Sequence, residues 1–314
     1  MALNPQCREF LDKLAAGGGK QLHEMTPEEA RALDLTEFGV PLEEIARVEN
    51  RAIPGPAGPI PVRIYTPVLD KTLPALVYFH GGGFVVCGLD SHDRECRTLA
   101  NQSGCVVIAV DYRLAPEHKF PAAHDDAWAA TKYVAEHAAE FGADASRIAV
   151  GGDSAGGNLA TAVSMMARDQ NGPKIAFQLL VYPCTEANAT EGSMKEYGEG
   201  HFLSAAAMDW FYGHYFSSPE DRLHPHASPG YVSDLRNLPP AFVLTAECDP
   251  LRDQGEAYAR KLQEAGVEVS HRRYEGMIHP FFTLGGAFDT TREAHEDAAF
   301  ELRMALSSGQ YARP

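Results

Sequence analysis

Arg147-Ile148-Ala149-Val150-Gly151-Gly152-Asp153-Ser154-Ala155-Gly156-Gly157-Asn158-Leu159-Ala160 is the stretch on which the reading of this chain turns. It opens on an apolar, partly β-branched run, the pattern of a buried strand. It then turns through glycines and continues as Leu159, Ala162, Val163 and Met166, an apolar face at helical spacing. Between strand and helix stands Gly152-Asp153-Ser154-Ala155-Gly156, a G-x-S-x-G. A serine hydroxyl is a poor nucleophile unless it is held exposed beside a base. A sharp strand-to-helix turn lifts its Oγ clear of the sheet, and glycines flank such a turn because a Cβ there would strike neighbouring backbone. The helix that follows aims free N–H groups and its positive dipole end at the reaction centre. Alone, the pattern also describes an ordinary βα loop, so its meaning depends on the rest of the chain.

Upstream, strand signals begin near Ile45 and recur at Ile60–Tyr65 and Leu76–Phe79. The first two, divided by Pro54-Gly55-Pro56-Ala57-Gly58, predict an antiparallel pair at one sheet edge. After Phe79 come His80-Gly81-Gly82-Gly83-Phe84. Consecutive glycines straight after a strand are costly in entropy and mark a place where backbone faces a ligand. A helix near Arg94–Asn101 leads to a buried strand at Val106–Val110. Tyr112-Arg113-Leu114-Ala115-Pro116-Glu117-His118 then turns into a long helix from about Pro121 to Phe141. With the strand Phe177–Tyr182 beyond the elbow, this alternation means βαβ units and a parallel sheet.

The rhythm fails between Pro183 and Leu238. Residues 185–200 are polar and Gly-rich, and Ser204 then caps a helix bearing Met208, Phe211, Tyr212 and Tyr215. That aromatic stripe has no strand to serve and reads as a lid helix. His224-Pro225-His226 lacks a third ligand at recognisable spacing and reads as a surface loop, not a metal site. The alternation resumes with the strand Ala241–Thr245, which ends in Cys248-Asp249-Pro250, and a helix from about Arg252 to Ala265. A strand over Val267–Tyr274 ends in Gly276-Met277-Ile278-His279-Pro280, and a helix from about Thr290 to Leu306 follows.

The N-terminal residues 1–45 precede every strand. Asn4-Pro5 starts a helix with Phe10, Leu11 and Leu14 on one face, and Gly17-Gly18-Gly19-Lys20 interrupts it. Gln21 stands where a phosphate loop needs Ser or Thr, so the glycines are a joint. Thr26-Pro27-Glu28-Glu29 is a capping box that starts a second short helix. These amphipathic helices must lie across something built later.

The chain has 43 acidic and 27 basic side chains, a formal charge of −16, which argues against nucleic acid or an anionic membrane as partner. Six scattered cysteines form no C-x-x-C pair, and a chain of this length needs no disulfide framework. Met1 leads into no basic n-region and no long apolar run, so a cytoplasmic protein with reduced thiols is expected. The sequons at Asn101 and Asn188 are then chance matches.

Catalytic groups in open parallel sheets collect at the C-terminal ends of strands. Four such ends carry chemistry here: the glycine triplet after Phe79, then Ser154, Asp249 and His279. In the order Ser, acid, His the base follows the serine, which sets aside His80, His118 and His124. His201, His214, His224 and His226 lie in the lid region, His271 is mid-strand, and His295 is in a helix. For the acid, Asp249 ends its strand, whereas Asp253 falls in the first turn of the next helix, where the helix dipole alone explains an acid.

With these motifs assembled, the chain resembles the bacterial esterases of the hormone-sensitive-lipase family, in the branch with a G-D-S-A-G elbow. The residues that carry the resemblance are His80-Gly81-Gly82-Gly83, Tyr112-Arg113-Leu114-Ala115-Pro116-Glu117, Gly152-Asp153-Ser154-Ala155-Gly156-Gly157, Asp249-Pro250-Leu251-Arg252-Asp253 and Ile278-His279. The resemblance implies an α/β-hydrolase fold, a mostly parallel central sheet with helices on both faces and a helical cap. Residues 46–184 and 226–314 would form the core, 1–45 the N-terminal cap helices and 185–225 a cap insertion. It also implies a triad of Ser154, Asp249 and His279, and an oxyanion hole from the N–H groups of Gly82, Gly83 and Ala155. Phe84, Met208, Phe211 and Tyr212 are the candidate walls of the substrate pocket. The implied substrates are short- to medium-chain acyl esters, with no metal or organic cofactor, and a homodimer is compatible with this reading. Two residues depart from the family pattern. Phe84 stands where many relatives have tryptophan, and Pro280 follows the histidine where glycine is usual, which stiffens or shifts the histidine loop. An amidase or deacetylase would use the same residues, and a ligand-binding receptor, as the plant gibberellin receptors are, could keep the pocket while losing the histidine.

Overall fold

Ala75, Val77 and Phe79 are buried in one apolar cluster and the alternate residues Leu76 and Tyr78 in another. An unbroken apolar strand of this kind is covered on both faces, as parallel sheets require. The computed structural model, which describes residues 3–33 and 41–307, repeats the pattern across one eight-stranded sheet. Its strands are β1 (Arg47–Gly55), β2 (Gly58–Thr66), β3 (Leu73–Phe79), β4 (Val106–Val110), β5 (Ala143–Asp153), β6 (Ile175–Val181), β7 (Ala241–Cys248) and β8 (Val269–Ile278). Their order is β1-β2-β4-β3-β5-β6-β7-β8. The β1–β2 and β2–β4 pairs are antiparallel and the rest parallel, so the expected antiparallel edge pair is present. Parts of the expected 1–45 and 226–314 segments, namely residues 1–2, 34–40 and 308–314, lie outside the described residues.

The helices are α1 (Pro5–Gly17), α2 (Pro27–Arg31), α3 (Asp93–Ser103), α4 (Ala122–Glu136), α5 (Ala155–Asp169), α6 (Ser193–Tyr197), α7 (Ala205–Tyr215), α8 (Arg252–Glu264) and α9 (Thr290–Leu306). Helices α4, α5 and α8 bury apolar residues in one cluster, α3 and α9 in the other. Helix α5 is buried at every position from Ala155 to Ala167, more than the single apolar face of its sequence predicts. Its hydroxyls are satisfied locally: Thr161 donates to the Asn158 carbonyl at 2.6 Å and Ser164 to that of Ala160 at 2.9 Å.

Three boundaries differ from expectation. The long helix read from Pro121 to Phe141 stops at Glu136 and resumes as a 3₁₀ turn, Ala138–Phe141, closed by Gly142 at φ 68°. The polar stretch after β6 contains the short helix α6. The last strand runs on to Ile278, because between the pairs Ala246↔Tyr274 and Cys248↔Ile278 a bulge takes up two extra residues of β8. Gly276, at φ 66°, supplies the left-handed backbone there, and its N–H donates to the Glu247 carboxylate at 2.7 Å.

The N-terminal helices form as their caps dictate. The Asn4 side chain accepts from Gln6 N–H, Pro5 opens α1, and Gly18 closes it at φ 64°. Thr26 and Glu29 exchange side-chain-to-backbone hydrogen bonds at 3.2 and 2.9 Å. Helix α1 buries Cys7 and Phe10 but leaves Leu14 37% exposed, so its inner face is narrower than the expected Phe10-Leu11-Leu14 stripe. That face sits against the end of β8: Asn4 N–H donates to the Gly276 carbonyl at 3.0 Å, and the Phe10 ring meets Phe288 edge-on at 5.4 Å. Phe10→Ala is therefore expected to lower unfolding free energy by ~3 kcal/mol, as deletion of a buried aromatic does. Urea unfolding measures this, and a loss below about 0.5 kcal/mol, the level of a surface substitution, would show that α1 is not part of the core.

Candidate active site

Strand register puts the chemistry side by side. Phe79 at the end of β3 pairs with Gly152 of β5, so the glycine triplet and Ser154 leave neighbouring strands together. This is the sheet's switch point, since β4 lies on one side of β3 and β5 on the other. Cys248 pairs with Ile278, which sets Asp249 beside His279. Between the two pairs stands β6, whose following residue Tyr182 carries its ring 4.3 Å from that of His279.

Ser154 occupies φ 56°, ψ −114°, a conformation that costs a non-glycine residue about 1–3 kcal/mol. The turn is held by Ser154 N–H donating to the Val181 carbonyl at 2.8 Å, and by Cys184 N–H donating to the Ser154 carbonyl at 3.2 Å. A Cβ at Gly152 or Gly156 would overlap the Phe79 carbonyl oxygen. The elbow glycines are thus needed for close approach, as the motif implies. Ser154 itself is half-buried, whereas Asp249 and His279 are buried.

Asp249 accepts two hydrogen bonds, from Leu251 N–H at 2.8 Å and from His279 Nδ1 at 2.8 Å. An ionised carboxylate only accepts, so Nδ1 carries the proton and Nε2 is left as the basic nitrogen. The His279–Pro280 bond is cis, and the proline leaves His279 on its acid. Asp253 does more than answer the helix dipole. Its carboxylate accepts from Ser193 N–H at 2.8 Å and from Arg252 Nε at 2.8 Å, which pins α6 to the start of α8. The two acids are therefore separated by partner: Asp249 holds the histidine, Asp253 holds the insertion.

The glycine loop is clamped from below and from both ends. Gly81 N–H donates to Asp153 Oδ1 at 3.0 Å, and the Tyr78 hydroxyl donates to the same oxygen at 2.9 Å. His92 Nε2 lies 3.2 Å from it, its Nδ1 2.8 Å from the Ser91 hydroxyl. Gly82 at φ 106° and Gly83 at φ 59° follow in left-handed backbone, and the Gly82 carbonyl accepts from Val85 and Val86 N–H, both at 3.0 Å. The Tyr112 hydroxyl donates to the His80 carbonyl at 2.7 Å and Ala115 N–H to the Phe84 carbonyl at 2.9 Å. Arg31 of α2 adds bonds to the carbonyls of Val85 at 2.8 Å and Ala115 at 2.7 Å. The Tyr112–Glu117 motif thus braces the loop, a role that sequence reasoning missed, as it missed Tyr78, His92 and Arg31. Only the coincidence of polar residues flanking a glycine run could have signalled it.

The candidate pocket residues gather on α7 and the loop. Phe211 lies so close to Gly83 that a Cβ there would overlap its ring, and Phe84 stacks on Tyr215 at 4.0 Å. Phe84, Met208, Phe211 and Tyr212 are all buried. Two surface hollows of about 420 and 370 Å³ lie instead on the β6–β7 segment, the second between it and the end of α5, and include none of Ser154, Asp249 and His279. Among the described residues no group of three or more His, Cys, Asp or Glu is arranged to hold a metal ion. No described helix is long and apolar enough to cross a membrane.

A family model described as alpha/beta hydrolase fold matches residues 76–283. The chain belongs to the α/β-hydrolase family. Esterase LipI of Mycobacterium tuberculosis is 43% identical to this α/β-hydrolase over 271 residues, covering 85% of this chain and 84% of that protein. Ethyl acetate hydrolase of Pseudomonas putida is 41% identical over 308 residues, covering 93% and 96%. A solved structure, the hyperthermophilic esterase from the archaeon Pyrobaculum calidifontis, superposes with a TM-score of 0.92 at 45% identity, covering 96% of this chain and 98% of that one. The resemblance to hormone-sensitive-lipase esterases drawn from the motifs agrees with all three.

Buried histidines couple the stability of this α/β-hydrolase to pH. Burial pushes His80 and His124 down to about 3 and His295 down to about 4. The unfolded chain takes up those protons near 6.5, so stability is lost as pH falls below that value. His92 runs the other way. Burial disfavours its charge, but the Asp153 carboxylate outweighs that and raises it, so its contribution fades as pH rises through the raised value. Asp153 is depressed despite its burial, by His92 beside it, and its contribution fades only as pH falls. Urea unfolding at pH 7.5, 6 and 5 is expected to show stability falling toward acid, by on the order of 1 kcal/mol per pH unit for each neutral histidine. His295→Gln, outside the triad and bonded to the Phe282 carbonyl, should flatten that slope, and an unchanged slope would remove His295 from the account.

Proposed function

We propose that the protein is a serine carboxylesterase that hydrolyses short- to medium-chain acyl esters through an acyl-enzyme on Ser154. The observation that carries the reading is the buried Asp249–His279 hydrogen bond at the ends of β7 and β8, in the same sheet whose β5 ends at a serine held at positive φ. Relatives named as esterases over most of the chain support it. In this mechanism His279 Nε2 takes the Ser154 proton as Oγ attacks the ester carbonyl, while Asp249 fixes the tautomer and stabilises the imidazolium. The N–H groups of Gly82, Gly83 and Ala155 receive the developing oxyanion. His279 then protonates the leaving alcohol, and water repeats the sequence to release the acid.

The cap is assigned to residues 1–45 and 185–225. Phe211 against Gly83, and Phe84 against Tyr215, form an apolar roof above the loop. Each added acyl CH₂ then gains about 0.8 kcal/mol until the chain outgrows the pocket. Across p-nitrophenyl esters, kcat/KM is expected to rise from acetate to an optimum at about four to eight carbons and then fall. The six unpaired cysteines support a reducing compartment, the cytoplasm.

Mutants separate the roles. Ser154→Ala and Asp249→Asn should each cut kcat by on the order of 10⁴ with the fold intact. Asp253→Asn should keep kcat within about threefold yet lower stability by at most about 1 kcal/mol, the cost of weakened, half-exposed hydrogen bonds. Retention of most activity by Ser154→Ala would refute the assignment, and a reversed pair of aspartates would move the acid. A matched ester and anilide pair distinguishes esterase from amidase.

A further inference from the structure

His124 lies on α4, is wholly buried, and has no part in the triad. Its two ring nitrogens face opposite kinds of partner. Nε2 is 2.9 Å from Asn158 Oδ1 and 3.1 Å from the His226 carbonyl, and the Asn158 amide nitrogen in turn donates to the carbonyls of Cys184 and Ala227, both at 2.9 Å. Those two carbonyls fix which way the Asn158 amide points, so Nε2 meets two acceptors and must carry the proton. Nδ1 is therefore the acceptor, and the Tyr215 hydroxyl, 2.9 Å away, donates to it. Burial keeps the ring neutral, pushed down to about 3, as this pattern requires.

The bonds run in one direction, from Tyr215 on α7 through His124 to Asn158, one turn past Ser154 on α5. From Asn158 they reach Cys184, whose N–H holds the Ser154 carbonyl at 3.2 Å and whose Sγ lies 3.1 Å from the Tyr212 hydroxyl, again on α7. The ring of contacts thus closes on α7 at two residues one turn apart. Tyr215 is also the residue stacked on Phe84, and Phe211 of the same helix overlies Gly83.

We propose that His124 is a specificity-determining positioning residue: as a neutral imidazole bridging Tyr215 and Asn158, it fixes α7 at one height above Ser154 and so sets the length of acyl chain that fits. Breaking the bridge lets the apolar roof move, and esters that use the roof lose binding while those that do not are spared. This rests on the esterase reading above.

The test compares Tyr215→Phe, which removes one oxygen and keeps the stack on Phe84, with His124→Phe and His124→Gln. With p-nitrophenyl hexanoate, Tyr215→Phe and His124→Phe should raise KM on the order of tenfold with kcat within about threefold, while kcat/KM for the acetate falls less than about threefold. His124→Gln, which keeps one donor and one acceptor, should recover most of the hexanoate KM. A second reading needs no substrate. Trp210 lies on α7 with its indole N–H 3.0 Å from the Met25 carbonyl, so in a Trp128→Phe background acrylamide quenching reports α7 alone. Quenching should increase in Tyr215→Phe. An unchanged hexanoate-to-acetate ratio in both Phe variants, or unchanged quenching, would overturn the proposal. Failure of the parent protein to hydrolyse either ester would refute the esterase reading instead, with quenching still deciding whether the bridge holds α7.

Discussion

The fold closes around a backbone approach that only glycine permits: helix α5 and strand β5 meet the Phe79 carbonyl where Gly152 and Gly156 have no Cβ. From that approach follow the positive φ of Ser154, the burial of α5 on all sides, and the placing of the glycine triplet beside the serine. Asp153, the residue between Gly152 and Ser154, turns inward and binds Gly81, Tyr78 and His92 at once. One turn of chain therefore carries Ser154, the nucleophile of the proposed mechanism, and through Asp153 anchors the glycine loop. A buried carboxylate is costly unless it is answered, and here the answering groups are the Gly81 N–H of the loop, the Tyr78 hydroxyl of β3 and His92 before α3.

The other half of the site depends on a bulge. Extra residues in β8 let Gly276 take a left-handed conformation and bring His279 level with Asp249 across the β7–β8 pair. Glu247 answers the Gly276 N–H, and the start of α1 answers its carbonyl. The N-terminal helix so supports the histidine side while α2, through Arg31, supports the glycine loop. Segments that come first in sequence thus pack on parts of the molecule built from residues later in the chain.

Most of the architecture was legible in the residues. The unbroken apolar runs of β3, β4 and β7, the capping box at Thr26 and the glycines around Ser154 each carry a local physical rule, and the strands appear where those rules predict. The candidate site residues stand out for the same reason, since strand ends punctuated by Gly, Asp-Pro and His break the βα rhythm, and the structure brings Asp249 onto His279. What escaped were features decided by partners far away in sequence. The length of β8 depends on a bulge answered by Glu247, and the roles of Asp253 and His92 on Ser193 and Asp153. Leu14 is left in solvent because α1 docks by Cys7 and Phe10, and nothing in a helical repeat says which part of an apolar stripe will find a neighbour.

The central claim is that Ser154 becomes covalently acylated by virtue of His279 and Asp249, and trapping tests it most directly. Treated with diethyl p-nitrophenyl phosphate, the native chain is predicted to release about one equivalent of p-nitrophenol and to carry one diethylphosphoryl group on the peptide containing Ser154, with hydrolysis lost in proportion. His279→Ala, with serine in place, is predicted to react slower by orders of magnitude. Modification of another residue, or loss of ester hydrolysis without a label on Ser154, would contradict the account.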